Sequence, residues 1–509
     1  VQDQYPGIVL ENEYIRLVIL PEFGARIISF YYKPTGHEQF YTNPVGTPYG
    51  MGDGNFYYDW LMVFGGVFPT FPEPEHGKTW FLPWQWEFTE ISDEKVSLSM
   101  ELQDTIDFPS HPGKFNYGIT HAKCISTVTL QSGKTSFEFH HSIENTKNAA
   151  ISMEYWTCCT FSPGSVPGNT YTPANSEIVA PIEYVYLKDD WWSWMGDAEI
   201  PAANMGSHVF EYENLAFYEN WEDMGIAYAY PALDRNYYGV INHENGEGVF
   251  RVVNNSDITK GMKFWTWGAQ QGLNADPGNF YQVARPYIEL WSGLSTQFFE
   301  NAILSPNETV SWNETYLPTL EMDSISYVNE NGAIHLGYIN DNPERFLLKL
   351  FTTEPDREYH LNVSLNGQFQ VNLYDGEIFS ENTNCNQLTF LLDDYFIEDG
   401  GYDYVATLLD IFGDTLMEYS IPVTVPFPHE GIHISEHPLP QISRISPNTI
   451  RIGFDETEER HISVYSMNGQ LIHNKIIYDR YTYLRIDHSG FYIISYTEGG
   501  SSYSFKVVI

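Results

Sequence analysis

The 509-residue sequence predicts an all-β chain built from antiparallel sandwiches. Three observations carry that prediction. Apolar and polar residues alternate with period two in one segment after another. Gly, Asn and Asp turns separate those segments. No long stretch sustains a 3.6-residue apolar period. Residues 14–19 form the first clear strand. Residues 136–143 form another, with Phe137, Phe139, His141 and Ile143 on one face. Further along, residues 361–365 and 404–408 read as strands, as do 460–465, 490–496 and 504–508. Asn468-Gly469 marks a tight turn between two of these.

Composition divides the chain. At roughly 150 residues per domain, this length suggests about three domains. All 13 tryptophans lie between Trp60 and Trp312. Residues 1–320 carry a net charge of −24, residues 321–427 carry −16, and residues 428–509 carry −2. The expected joints are near Leu317-Pro318 and in the Pro-rich run from Pro422 to Pro440. The middle segment has the size of one β-sandwich module.

Charged residues make up 18% of the chain and aromatics 16%, the reverse of a disordered composition. The net charge of −42 supplies no basic footprint for nucleic acid and disfavours anionic membrane surfaces. Neutral partners fit best, and a polyanion would need a local basic pocket. No run of about 18 apolar residues is present, so no membrane-spanning helix is expected. The chain opens at Val1, as a mature or trimmed form would. Its four cysteines, Cys124, Cys158, Cys159 and Cys385, are too few for a disulfide scaffold and do not settle the compartment.

Two regions concentrate aromatics with ionisable groups. In residues 65–80, Pro and Gly predict a loop holding Glu75, His76 and Trp80. A loop His beside an acid can transfer protons near neutral pH. A surface His without a role is the competing reading. In residues 285–293, a strand would place Tyr287, Glu289 and Trp291 on one face, with Arg285 just before it. Rings that stack on a pyranose beside a carboxylate suit a sugar floor. A solvent-facing Glu is the alternative. Trp267 and the tryptophans at 191, 192 and 194 add to the ring inventory of this segment. No zinc, EF-hand, P-loop, dinucleotide or nucleophile-elbow motif occurs. No cofactor is expected. Asp189-Asp190 and Asp393-Asp394 could hold calcium, with a solvated acidic face the simpler reading.

Residues 10–27, 35–44, the Gly65-Gly66 loop ending at His76-Gly77, residues 264–268, 287–293 and 304–312 occur in a characteristic order. On these, residues 1–320 resemble the galactose mutarotase-like superfamily, in its secreted aldose epimerase-like branch. The resemblance implies a large antiparallel β-supersandwich. It implies that Glu289 matches the catalytic base and His76, more loosely, an early binding His. Trp80, Tyr155, Trp156, Trp267, Tyr287, Trp291, Glu75 and Arg285 are the expected substrate-binding residues. Residues 145–156 offer no acid His, and no Asn-x-Arg motif is evident, which weighs against simple anomeric epimerisation. Residues 446–448, 462–471, 486–494 and 505–508 resemble the C-terminal sorting domain of the type IX secretion system of Bacteroidetes. That resemblance implies export and a partner in the secretion machinery. The middle segment is similar in general terms to an Ig-like spacer.

The expectation is therefore a β-supersandwich followed by two smaller β-sandwiches, in a chain that is secreted or held at the outer-membrane surface. It would act on oligo- or polysaccharide by hydrolysis, elimination or epimerisation, with Glu289 and His76 as catalytic groups. A non-catalytic glycan-binding protein of a polysaccharide-utilisation system, or a plain aldose 1-epimerase, are the alternatives.

Overall fold

The computed structural model describes residues 6–42, 65–74, 77–80, 82–107, 113–187, 208–221, 225–233, 237–253, 258–266, 268–269, 285–339, 342–368, 370–392, 395, 397, 400–425, 441–446, 449–454, 459–466, 470–478, 480–486, 491–498 and 501–508. Among these residues there is no α-helix, and every strand pair is antiparallel. Among the described residues, no helix is long and apolar enough to cross a membrane.

Two large sheets dominate. The first, of eleven strands, runs from Ile8–Glu11 through Ile15–Leu20, Arg26–Tyr32 and His37–Phe40 to a central strand, Trp156–Ser165. It continues through Ile288–Gly293, Gly261–Thr266 and Gly225–Tyr230 to Tyr184–Tyr186 and Val209–Glu211. Strand Val67–Thr70 pairs with both Arg26–Tyr32 and Trp156–Ser165. The second sheet has eight strands, including Phe137–Asn145, Glu247–Val253 and Thr309–Leu320. The sheets close on each other through rings. Phe40 meets Phe137 and Tyr316 edge-on at 6.3 and 5.8 Å, and Phe161 meets Tyr238 at 6.3 Å. In Phe137–Asn145 the alternation does what the sequence required: Phe137, Phe139, His141 and Ile143 all point inward and are buried.

The central strands behave differently. Every residue of Trp156–Ser165 and of Ile288–Gly293 is buried. Their inward residues, Cys159, Phe161, Ile288 and Leu290, belong to the core between the sheets. Their outward residues, Trp156, Cys158 and Trp291, form a second aromatic cluster with Phe68, Trp80, Tyr228 and Phe298. The first sheet is therefore covered on both faces.

The joint predicted near Leu317-Pro318 falls at the end of a strand that closes at Leu320. Strand Thr309–Leu320 runs through it, with Pro318 opposite Val249. On the other side, the pairing with Phe137–Asn145 ends at Tyr316, so the amide that Pro318 lacks has no ladder partner to lose there. Met322, Val328, Ala333, Phe351 and Cys385 join the core of the large sandwich, and the Tyr32 hydroxyl donates to the Asn382 carbonyl. The strands that follow form two four-stranded sheets around their own core, which includes Leu348, Leu361, Val363 and Tyr404. Pro422 lies in strand Thr415–Val425, and the rest of the Pro-rich run is outside the described residues. From Gln441 on, a three- and a four-stranded sheet share a third core of Ile450, Ile452, Ile462, Val464 and Ile494. The Asn468-Gly469 turn lies outside the described residues. All four cysteines are buried free thiols.

Candidate functional site

Strand register assembles a site on the outer face of the eleven-stranded sheet. Phe68 stands opposite Cys158, Cys158 opposite Trp291, Trp291 opposite Lys263, Lys263 opposite Tyr228, and Tyr228 opposite Tyr186. One cross-strand row thus spans six strands. Arg26 extends it, since Ile27 faces Val67, the residue before Phe68. One row along, Thr160, Glu289 and Trp265 stand opposite one another. On the other side, Trp156 faces Gly293, and Gly293 faces Gly261. Those glycines make room for a flat indole. A Cβ on Gly293 would lie 2.4 Å from the Trp156 ring, and one on Gly261 would lie 2.8 Å from it.

Glu289 is only 3% exposed. The solvent-facing alternative for this residue is therefore excluded. Trp291 Nε1 donates to its Oε2 at 2.8 Å, and the Tyr287 side chain also hydrogen-bonds it. Burial pushes the carboxyl up to about 7, opposed by Lys263, by the Trp291 and Tyr287 bonds and by Arg26. A carboxyl at that value can give or take a proton near neutral pH. The Lys263 ammonium lies over Trp291 and Phe298, 4.1 and 4.3 Å from their ring centroids.

Local geometry aims Arg26 into the site. Gly24 and Ala25 both take left-handed backbone, with φ of 73° and 52°. Gly24 lies so close to the Trp80 backbone that a Cβ would come within 2.2 Å of its carbonyl oxygen. Arg26 then stacks on Phe68 at 3.6 Å and donates from Nη1 to the Gly65 carbonyl at 2.5 Å. Gly66, at φ 75°, lets that loop lie on strand Arg26–Tyr32.

The other expected site residues fall into place unevenly. Tyr287 is buried, stacks on Tyr41 at 4.4 Å, and shares the Glu289 side of its strand. Trp80, Trp156 and Trp291 are in the outer cluster. Tyr155 is not. It points between the sheets, bonded to Thr157 and packed on His141 and Trp312, because neighbours in a strand face opposite ways. Arg285 has an exposed side chain, and its amide donates to the Tyr41 hydroxyl. Glu75, His76 and Trp267 lie outside the described residues, as do Trp191, Trp192, Trp194, Arg235, Asp189-Asp190 and Asp393-Asp394. Lys78 is engaged elsewhere. It is buried against Asp104 at 2.9 Å and Glu73 at 3.6 Å. Among the described residues, no cluster of three or more His, Cys, Asp or Glu is placed to hold a metal ion.

The sequence reading did not single out Arg26, Lys263 or Cys158 as site residues. Glu154, a second carboxylate near the outer cluster, is fully buried. It accepts from the Tyr117 hydroxyl, the Phe299 amide and the Trp156 indole.

No family model matches the chain. Among solved structures, it is similar to a TPR-domain containing protein from Parabacteroides distasonis, with TM-score 0.47 and 16% identity, over 64% of this chain and 48% of that one. The chain thus spans about half the length of that protein. It is also similar to a galactose mutarotase-like protein from Clostridium acetobutylicum, with TM-score 0.43 and 12% identity, over 62% and 96%. A galactose mutarotase related enzyme from Lactobacillus acidophilus gives 0.39 and 12%, over 63% and 100%.

Proposed function

We propose that this is a secreted carbohydrate-active protein that holds glycan on the outer face of its large sheet and moves a proton with Glu289. The observation that carries the reading is the carboxyl itself. It is buried, held by an indole N–H, brought to about 7, and set among tryptophan and tyrosine rings. Such a group meets the pKa requirement for general acid–base catalysis at neutral pH.

The geometry favours chemistry with one carboxylate over two-carboxylate hydrolysis through Glu154. Glu289 stands opposite Thr160, six residues along the chain from Glu154. At roughly 3.3 Å per extended residue, the backbones can be up to about 20 Å apart, against the roughly 5–10 Å between paired glycosidase carboxyls. Epimerisation or elimination fits better, with His76 as the candidate second proton carrier. In this reading residues 1–320 are the galactose mutarotase-like unit, residues 321–427 a spacer, and residues 428–509 a type IX sorting domain that brings the chain to the cell surface or beyond.

Proton NMR time courses of the full chain with neutral and acidic oligosaccharides test the reading. Faster anomeric exchange identifies an epimerase, a vinyl proton an eliminase, and a new reducing end a hydrolase. Any of these signals, lost in Glu289→Gln, supports the assignment. Line broadening of the sugar without product in either protein would move the chain to the class of glycan-binding modules.

A further inference from the structure

Two buried arginines of the large sandwich each leave two nitrogens without a hydrogen-bond partner among the described residues, and differ in their counter-charge. Arg251 lies in the core, 0% exposed, with Nη2 2.8 Å from the carboxylate of Glu314. Arg26 lies on the outer face, 1% exposed. Among the described residues, its hydrogen bond runs from Nη1 to the Gly65 carbonyl. Its Nε and Nη2 have no hydrogen-bond partner, and no carboxylate is within ion-pair distance among the described residues. A buried guanidinium with only a carbonyl for company is an unfavourable state, because burial removes water and supplies no counter-charge.

The surroundings show where the missing partner belongs. Arg26 lies 3.6 Å from the ring centroid of Phe68 and 5.5 Å from that of Phe23. The groups that act on its charge are Cys158 and Glu289, both on the outer face. The Cys158 thiol is held well above its ordinary value by burial, so it contributes no charge at neutral pH. Lys263 adds a second cation one strand beyond Glu289. Arg26 and Lys263 both act on the Glu289 carboxyl, whose own value is about 7.

We propose that Arg26 binds an anionic substituent of the sugar, a carboxylate or sulfate ester, through its Nε and Nη2 edge. The substrate is then an acidic glycan, with the charged group on the Arg26 side of Glu289. A guanidinium edge with two adjacent N–H donors fits two oxygens of such a group, which a point charge does not. This inference rests on the sugar-site reading above and adds the substrate class to it.

The test is calorimetric titration of the full chain with matched pairs. One pair is oligogalacturonate and its methyl ester. The other is a sulfated galactan oligosaccharide and its desulfated form. The expected result is at least a tenfold preference for one charged member, and the pair that shows it tells carboxylate from sulfate. In Arg26→Gln that preference shrinks to within about twofold, while the neutral member still binds. In Glu289→Gln, which leaves Arg26 in place and guards against a folding defect, binding of the charged member strengthens severalfold. Equal binding of charged and neutral members overturns the proposal and leaves the sugar site standing. A preference that survives in Arg26→Gln overturns it as well. Failure of all four oligosaccharides to bind at millimolar concentration overturns the sugar site, and this inference with it.

Discussion

The indole N–H of Trp291 donates to Glu289, two residues earlier on the same strand face, at 2.8 Å. Period-two geometry makes this contact almost local, and its effect on Glu289 is to favour the charged form. Trp291→Phe keeps a ring under Lys263 and removes the donor. The acid limb of the pH–rate profile should then move to higher pH by roughly one unit, since a hydrogen bond to a charged group contributes about 1.5–3 kcal/mol. Measuring kcat/KM from pH 5 to 9 in both proteins checks this. An unchanged midpoint would remove Glu289 from the proton transfer.

Glu289 also predicts how stability responds to pH. Its carboxyl sits at about 7 in the folded chain against the ordinary 4.5 of an unburied Glu. The folded chain keeps this proton where the unfolded chain has lost it. The associated stability is intact below pH 4.5 and is lost as pH rises through 7, by roughly 3 kcal/mol in total. Glu289→Gln removes that dependence. Urea midpoints at pH 5 and pH 8 should therefore differ less in the variant than in the parent, with the gain appearing at pH 8. A parallel fall in both proteins would mean that other groups govern this pH range.

How much of this was legible depends on the kind of contact. Strand Phe137–Asn145 was readable because one face is buried and the other is partly wet. Glu289 was readable because Tyr287 and Trp291 flank it at spacing two on its own strand. Arg26 and Lys263 were not, since they reach Glu289 only through cross-strand register across residues far apart in sequence. Strands Trp156–Ser165 and Ile288–Gly293 are buried on both faces, so apolar residues mark neither face as the core side. That is why Tyr155 and Trp156 were both taken as binding residues, although adjacent strand positions face opposite ways. The change in tryptophan content and charge places a joint near Leu317-Pro318. Here Pro318 falls where one neighbour strand has already ended.

The core carries its own test. Glu314 accepts from Arg251 at 2.8 Å, Thr157 at 2.9 Å, Trp312 at 2.9 Å and Tyr316 at 2.8 Å. Although burial acts the other way, Arg251 and the bonds from Arg251 and Trp312 hold it down at about 2. Arg251→Met leaves a buried carboxylate without its counter-ion. Loss of one partner of such a pair costs about 3–5 kcal/mol. Chemical denaturation at pH 8 should show that loss, and a smaller one at pH 4.5, where Glu314 in the variant can take up a proton. A loss under 1 kcal/mol at pH 8 would mean that the three neutral donors suffice.

Gly293 is the position where packing and function meet. Its φ requires no glycine, but a Cβ there would lie 2.4 Å from Trp156 Cδ2 and Cε3. Trp156 in turn donates to Glu154 and packs edge-on against Phe298, which meets Trp291. In Gly293→Ala the indole must slide, so the disturbance passes along the ring cluster to the partner of Glu289. The expected cost is about 1–3 kcal/mol of overpacking, with a shift in tryptophan emission and weaker sugar binding. Gly113→Ala serves as the control, since its Cβ would meet nothing within 4 Å. If Gly293→Ala behaves like that control in unfolding, emission and titration, the Trp156 platform is loose, and the outer cluster does not transmit strain to Glu289.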